Sequence, residues 1–203
     1  RPDPHWYRPM HRSLALLALV AGTSAGAAGL SAAERKIVAV VDANQAAAMK
    51  LIAETVDIQS ATENHAGVRK VGDVFARELA ALGFDTHWVD LPSQVGRAGH
   101  LVAVRRGNIG KRLLLIGHLD TVLQGEAFRV EGDRAYGTGI ADMKGGDVIV
   151  VEALRALHAT GALEGRQISV VFTGDEEDTG VHNNGGRRSL LDAVPMTLVA
   201  LAF

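Results

Sequence analysis

The chain has 203 residues, 47% of them apolar and 22% charged, which suits one globular domain with a real core. A formal net charge of -2 gives no reason to expect nucleic acid or an anionic membrane surface as partner. There is no cysteine, so disulfides and thiolate metal sites are excluded, and any metal must be held by His, Asp or Glu.

Residues 1–9 carry three prolines and lie upstream of Met10, which reads as a start methionine. Met10-His11-Arg12 is then a short basic region and Leu14 to Ala21 an apolar run. Ser31-Ala32-Ala33 supplies a small-x-small cleavage signal before Glu34. This is the layout of a secretory signal peptide. It predicts a periplasmic or secreted protein whose fold leaves out residues 1–33. The alternative is a membrane anchor, but a span needs about 20 apolar residues. The run here is shorter, and no stable membrane anchor is expected.

Past the leader, Ala46, Ala47, Leu51, Ile52 and Val56 recur at helical spacing and predict a helix over 44–56. A second helix is predicted from Val68 to Leu82, stopped by Gly83. The period then shortens, predicting strands over Phe84–Leu91, Leu101–Arg105 and Leu113–Ile116. The last of these is apolar throughout, as in a strand covered on both faces. Ala141 to Leu157 reads as a helix with Val148, Val151, Leu154 and Leu157 on one stripe. Gln167–Phe172 reads as a buried strand, Ser189–Ala193 as a helical turn and Met196–Phe203 as a final strand. Strands alternating with helices predict a layered α/β domain over 34–203. In such sheets ligands bind beyond the carboxyl ends of the strands.

Three polar segments stand at such places. In Gly117-His118-Leu119-Asp120-Thr121-Val122, His118 and Asp120 are two apart and point to one side of an extended strand end. His118 could ligate a metal while Asp120 orients its ring, or the pair could be an ordinary structural hydrogen bond. The second segment is Tyr136-Gly137-Thr138-Gly139-Ile140-Ala141-Asp142-Met143-Lys144-Gly145-Gly146. Its glycines suggest a phosphate loop, but Asp142 stands where GxGxxG needs glycine, and Lys144 lies between Met143 and Gly145. A carboxylate there repels phosphate and suits a divalent cation; Asp142 as a plain helix cap is the alternative. The third is Thr173-Gly174-Asp175-Glu176-Glu177-Asp178-Thr179-Gly180. Like charges at this density repel unless solvated or neutralised by a cation. Asp178-Thr179-Gly180 mimics an aspartic-protease loop, but that chemistry needs two such loops, and Asp120-Thr121-Val122 is a poor second copy. Together the three segments supply one imidazole and several carboxylates, a donor set suited to zinc. Adjacent Glu176 and Glu177 can divide the work, one binding metal and the other reaching a water.

GHLDTV, YGTGIADMKGG and TGDEED, in this order and spacing, resemble the co-catalytic zinc metallopeptidases. That family includes glutamate carboxypeptidase, aminoacylase and succinyl-diaminopimelate desuccinylase. The resemblance covers roughly residues 44–203, and the segments Phe128–Asp133 and Tyr136-Gly137 look most like the glutamate carboxypeptidase branch. It implies an α/β/α catalytic domain with two Zn2+ ions, or another divalent cation such as Co2+. It further implies that His118 ligates one zinc, Glu177 the other, that Asp142 bridges both, that Glu176 is the general base and that Asp120 supports His118. A cis peptide is implied at Asp142-Met143. The implied substrate is a small peptide or N-acyl amino acid, cut in a carboxypeptidase-like way to release a residue such as glutamate. Aminoacylase or deacylase activity is the alternative within the family, and a non-catalytic metal-binding or interaction fragment the alternative outside it. The family's further acidic ligand lies just past a strand like Leu198–Phe203, with a late histidine and a lid domain that supports homodimers beyond it. The chain is therefore read as an N-terminal fragment, expected to bind zinc weakly and to lack useful activity alone. His65, His87, His100, His158 and His182 sit at no family position and read as surface or structural histidines.

Overall fold

The computed structural model describes residues 29–179 and, as backbone, 199–202. Gly29 and Leu30 belong to the unit Arg1–Leu30, and the rest to the unit Ser31–Phe203. The expected leader from Met10 and the expected turn at Ser189–Ala193 lie outside the described residues. Among the described residues no helix is long and apolar enough to cross a membrane.

Helix α1 spans Ala32–Asp57 and so starts well before the expected Asn44. Its start is set by a reciprocal cap. The Ser31 hydroxyl accepts from the Glu34 N–H at 3.2 Å, and the Glu34 carboxylate accepts from the Ser31 N–H at 2.6 Å. Half-buried Ile37, Val41, Asn44 and Ala48 run as a helical stripe into buried Leu51 and Thr55. Small residues serve both readings of Ser31-Ala32-Ala33, since alanine fits a cleavage site and is also the best helix former.

Helix α2, His65–Ala81, is capped by Asn64, whose side chain accepts from the Gly67 N–H at 3.1 Å. It buries Val68, Val71, Phe75 and Leu79 along one face, and Gly83, at φ 81°, ends it as expected. Three strands follow: β1 Asp85–Val89, β2 His100–Arg105 and β3 Ile109–His118. A hairpin the sequence did not disclose, β4 Arg129–Glu131 with β5 Arg134–Tyr136, turns at Gly132. Helix α3 is Gly145–Ala159, not 141–157, because Asp142 and Met143 have non-helical backbone angles. Strands β6 Arg166–Thr173 and β7 Val199–Ala202 complete the order.

The main sheet runs β1-β2-β6-β3-β7. β1, β2 and β6 pair antiparallel, while β3 lies parallel to both β6 and β7. The register puts His118 opposite Thr173, so the carboxyl ends of β3 and β6 coincide. One sheet face, carrying Leu101, Ala103, Leu115, Val170 and Phe172, joins α2 and α3 in a single core. Phe75 meets Phe172 edge to face at 5.1 Å. Each such side chain contributes about 1.5–3 kcal/mol on burial. Of the LLLI run only Leu115 is fully buried; Leu113, Leu114 and Ile116 are half-buried.

Candidate metal centre

The polar segments that follow β3, precede α3 and follow β6 come together at the carboxyl end of the sheet. His118 is the last residue of β3 and is buried. Its Nδ1 lies 3.0 Å from the backbone carbonyl of Asp120 and 3.5 Å from Asp120 Oδ1. In the neutral ring, donation from Nδ1 to that carbonyl leaves the Nε2 lone pair free to bind. Nε2 lies 3.1 Å from Asp142 Oδ1 and 3.8 Å from Glu176 Oε2. His118, Glu176 and Glu177 each offer one ligand atom, all within 4.8 Å of one another. The expected residues His118, Asp120, Asp142, Glu176 and Glu177 are thus brought to one place.

Asp142 reaches His118 because the chain before α3 is not helical. Gly139 takes φ 78° and the next residues form one irregular wide turn, Ile140–Lys144. The Asp142-Met143 peptide bond is cis, as the resemblance implies. The Asp142 side chain is 75% exposed, as a ligand facing an open cleft should be.

Asp120 sits beneath the acidic loop with no exposure. Its Oδ2 accepts from the Thr62 hydroxyl at 2.7 Å and from the Glu177 N–H at 3.1 Å, and Oδ1 accepts from the Glu176 N–H at 3.3 Å. Burial works against its charge, but hydrogen bonds from His118, Thr62 and the Glu177 N–H hold its carboxyl below the usual range. Asp120 was expected to support His118; it also anchors the backbone of both glutamates.

Burial likewise works against a charged His118, but hydrogen bonding to Asp120, the Asp120 charge and Asp142 outweigh it and lift the ring to about 9. Without a cation the pocket favours a proton on His118; a divalent ion would compete for the same lone pair. Glu177 is pushed up, first by burial and then by the neighbouring Asp142 charge. A carboxylate pressed by another carboxylate is a group that gains from a cation.

Several residues at the site were given no role from the sequence motifs. Thr62 fixes Asp120, and the Ser60 hydroxyl donates to the Leu119 carbonyl at 2.9 Å. Lys144 is buried and donates from Nζ to the Ile58 carbonyl at 2.8 Å; burial lowers it to about 8. Asp147 has no exposure and both carboxyl oxygens lack a hydrogen-bond partner. It packs against Gly117, where an added Cβ would lie 2.0 Å from Asp147 Oδ1, so only glycine fits beside it. Burial pushes the Asp147 carboxyl well above the usual range, against the opposing charges of His118 and Lys144. The visible clue to Asp147 is an acid beside Val148, Val151 and Leu154 on the buried side of α3.

Residues 114–200 match Peptidase family M20/M25/M40. The chain is 34% identical over 174 residues to carboxypeptidase G2 of a Pseudomonas species, covering 83% of this chain and 41% of that protein. It is 38% identical over 126 residues to succinyl-diaminopimelate desuccinylase of Acidiphilium cryptum, covering 59% of this chain and 31% of that protein. The chain therefore spans less than half the length of these relatives. A tripeptidase from Staphylococcus aureus shares the fold at TM-score 0.60 and 22% identity, over 76% of this chain and 42% of the other.

Proposed function

We propose, from the match of residues 114–200 to Peptidase family M20/M25/M40, that the protein is a zinc-dependent hydrolase of peptide or N-acyl amide bonds. The observation that carries this reading is the approach of His118 Nε2 to Asp142 with Glu176 and Glu177 in reach. One imidazole and three carboxylates are hard-to-borderline donors that fit zinc and exclude soft cations. We assign the ligand roles to His118, Glu177 and Asp142, which together would hold the zinc. When bound, zinc supplies Lewis acidity, making a water acidic and polarising the scissile carbonyl.

The side chains do the rest. Glu176 accepts the proton of the attacking water on its carboxylate and hands it to the leaving amine. Asp120 holds the Glu176 and Glu177 backbone so that neither glutamate swings away. The Nδ1 contact to the Asp120 carbonyl fixes the His118 ring in the site. The proposed substrate is a small peptide or N-acyl amino acid, and carboxypeptidase-like release of a residue such as glutamate is favoured by the carboxypeptidase G2 relative. The desuccinylase relative supports deacylation as a second reading. We assign residues 1–33 to a secretory leader and place the protein in the periplasm or outside the cell.

The test is hydrolysis of N-acyl glutamates, N-succinyl amino acids and dipeptides by the purified full-length protein. Turnover is expected to vanish on chelation and return with Zn2+. Glu176→Gln is expected to lower kcat by about 100- to 10,000-fold with zinc still bound. Full activity in Glu176→Gln would remove Glu176 as the base, and turnover indifferent to chelation would remove the metal.

A further inference from the structure

Four consecutive carboxylates, Asp175 to Asp178, follow β6, and the fold sends them in different directions. Asp175 turns inward, with 8% exposure, and its Oδ1 lies 3.8 Å from His100 Nδ1. Glu176 and Glu177 face His118. Asp178 turns to Arg97 in the loop between β1 and β2: Arg97 Nη2 lies 2.6 Å from Asp178 Oδ2, and Arg97 Nε donates to the Asp178 carbonyl at 2.6 Å. The same guanidinium donates to the Gly96 carbonyl at 2.7 Å and pairs with Glu63 at 3.2 Å. Its side chain is 8% exposed, so this cation is held in place, unlike a freely solvated surface arginine. Its charge also reaches Asp175.

We propose that Arg97 is the positioning residue of the acidic loop, removing Asp178 from the run of four carboxylates and so leaving Glu176 and Glu177 as the pair that faces His118. Two fasteners then act on one short segment. Asp120 holds the Glu176 and Glu177 N–H groups from below, and Arg97 holds both the carbonyl and the carboxylate of the next residue. A guanidinium is suited to this because its planar fork can bond a carbonyl and a carboxylate together, which the single ammonium of lysine does less well. Without it, the ion pair and the carbonyl bond that draw Asp178 toward the β1–β2 loop are lost. Glu63 precedes Asn64, the cap of α2, so the same arginine ties the loop before α2 to the acidic loop.

The metal arm of the proposal rests on the metal-site reading above; the loop arm does not. Amide hydrogen exchange on the full chain without metal reads the loop directly. In Arg97→Gln the Glu176 and Glu177 amides are expected to exchange about tenfold faster while those of Val170 and Val171 in β6 keep their protection. Arg97→Lys is expected to recover part of that protection. Co2+ titration of the same variants is expected to show affinity about tenfold weaker for Arg97→Gln and less than threefold weaker for Arg97→Lys. Exchange at Glu176 and Glu177 within twofold of wild type in Arg97→Gln would overturn the proposal. Should wild type take up no Co2+, the metal-site reading fails while the exchange result still decides the role of Arg97. Should Arg97→Gln also lose protection in β6, Asp178→Asn decides, because it breaks the same ion pair at an exposed carboxylate. It is expected to reproduce the local acceleration, and unchanged exchange there would equally overturn the role.

Discussion

Asp120 and Asp147 are both sealed from solvent beside the end of β3, yet their surroundings drive them to opposite charge states. Asp120 receives the Thr62 hydroxyl and two backbone N–H groups and lies beside His118. Asp147 receives no hydrogen bond and packs on Gly117. Burial is common to both, so burial alone does not set the charge; the donors do. A carboxylate with donors organises a loop, whereas one without them holds its proton. The difference marks where the fold was shaped for chemistry: beneath the glutamates every polar atom of Asp120 is used, while one turn into α3 a carboxyl is left with none.

The largest effect is expected from Asp120. Asp120→Ala removes an acceptor from the Thr62 hydroxyl and from the Glu176 and Glu177 amides and leaves His118 without its counter-charge. It is expected to cost about 3–5 kcal/mol in urea unfolding, the range for breaking a buried ionic partnership. His118, raised from 6.5 to about 9, contributes stability to the metal-free chain that is complete below pH 6.5 and is lost as pH rises toward 9. Asp120→Ala is expected to flatten that alkaline decline, and an unchanged slope between pH 6.5 and 9 would detach His118 from Asp120.

How much of this was legible beforehand differs along the same lines. That His118, Asp142, Glu176 and Glu177 come together was readable because each stands in a short polar motif at a strand end or ahead of a helix. The α/β order was readable from the change of apolar period between α2 and β1. The start of α1 was not, because a leader-like run of small residues and a helix cap share the same letters at Ser31-Ala32-Ala33. The start of α3 was misplaced because the apolar stripe of the helix continues upstream through Ile140 and Met143, while the backbone there is turned outward to present Asp142. Arg97 and Thr62 act through contacts with residues far away in sequence, and no local pattern announces them; Asp147 shows only as an acid on the buried side of α3.

A smaller effect, of opposite sign, is expected at Asp147. Its raised pKa means the folded chain keeps a proton that the unfolded chain releases, so its contribution to stability falls as pH rises above about 4. Asp147→Asn removes that proton uptake on folding and is expected to raise stability at pH 8 by about 1–2 kcal/mol, with the gain vanishing below pH 4. Denaturant midpoints at the two pH values measure it. A loss of stability at pH 8 would mean that Asp147 has a partner and that the contrast with Asp120 fails.

The claim on which the rest depends is that His118, Asp142, Glu176 and Glu177 form a centre for divalent metal. Zinc anomalous scattering from crystals of the protein grown with Zn2+ tests it most directly. The strongest peak is expected at about 2.0–2.2 Å from His118 Nε2 and from carboxylate oxygens of this group. Full-occupancy zinc at other histidines, with no peak at His118, would contradict it.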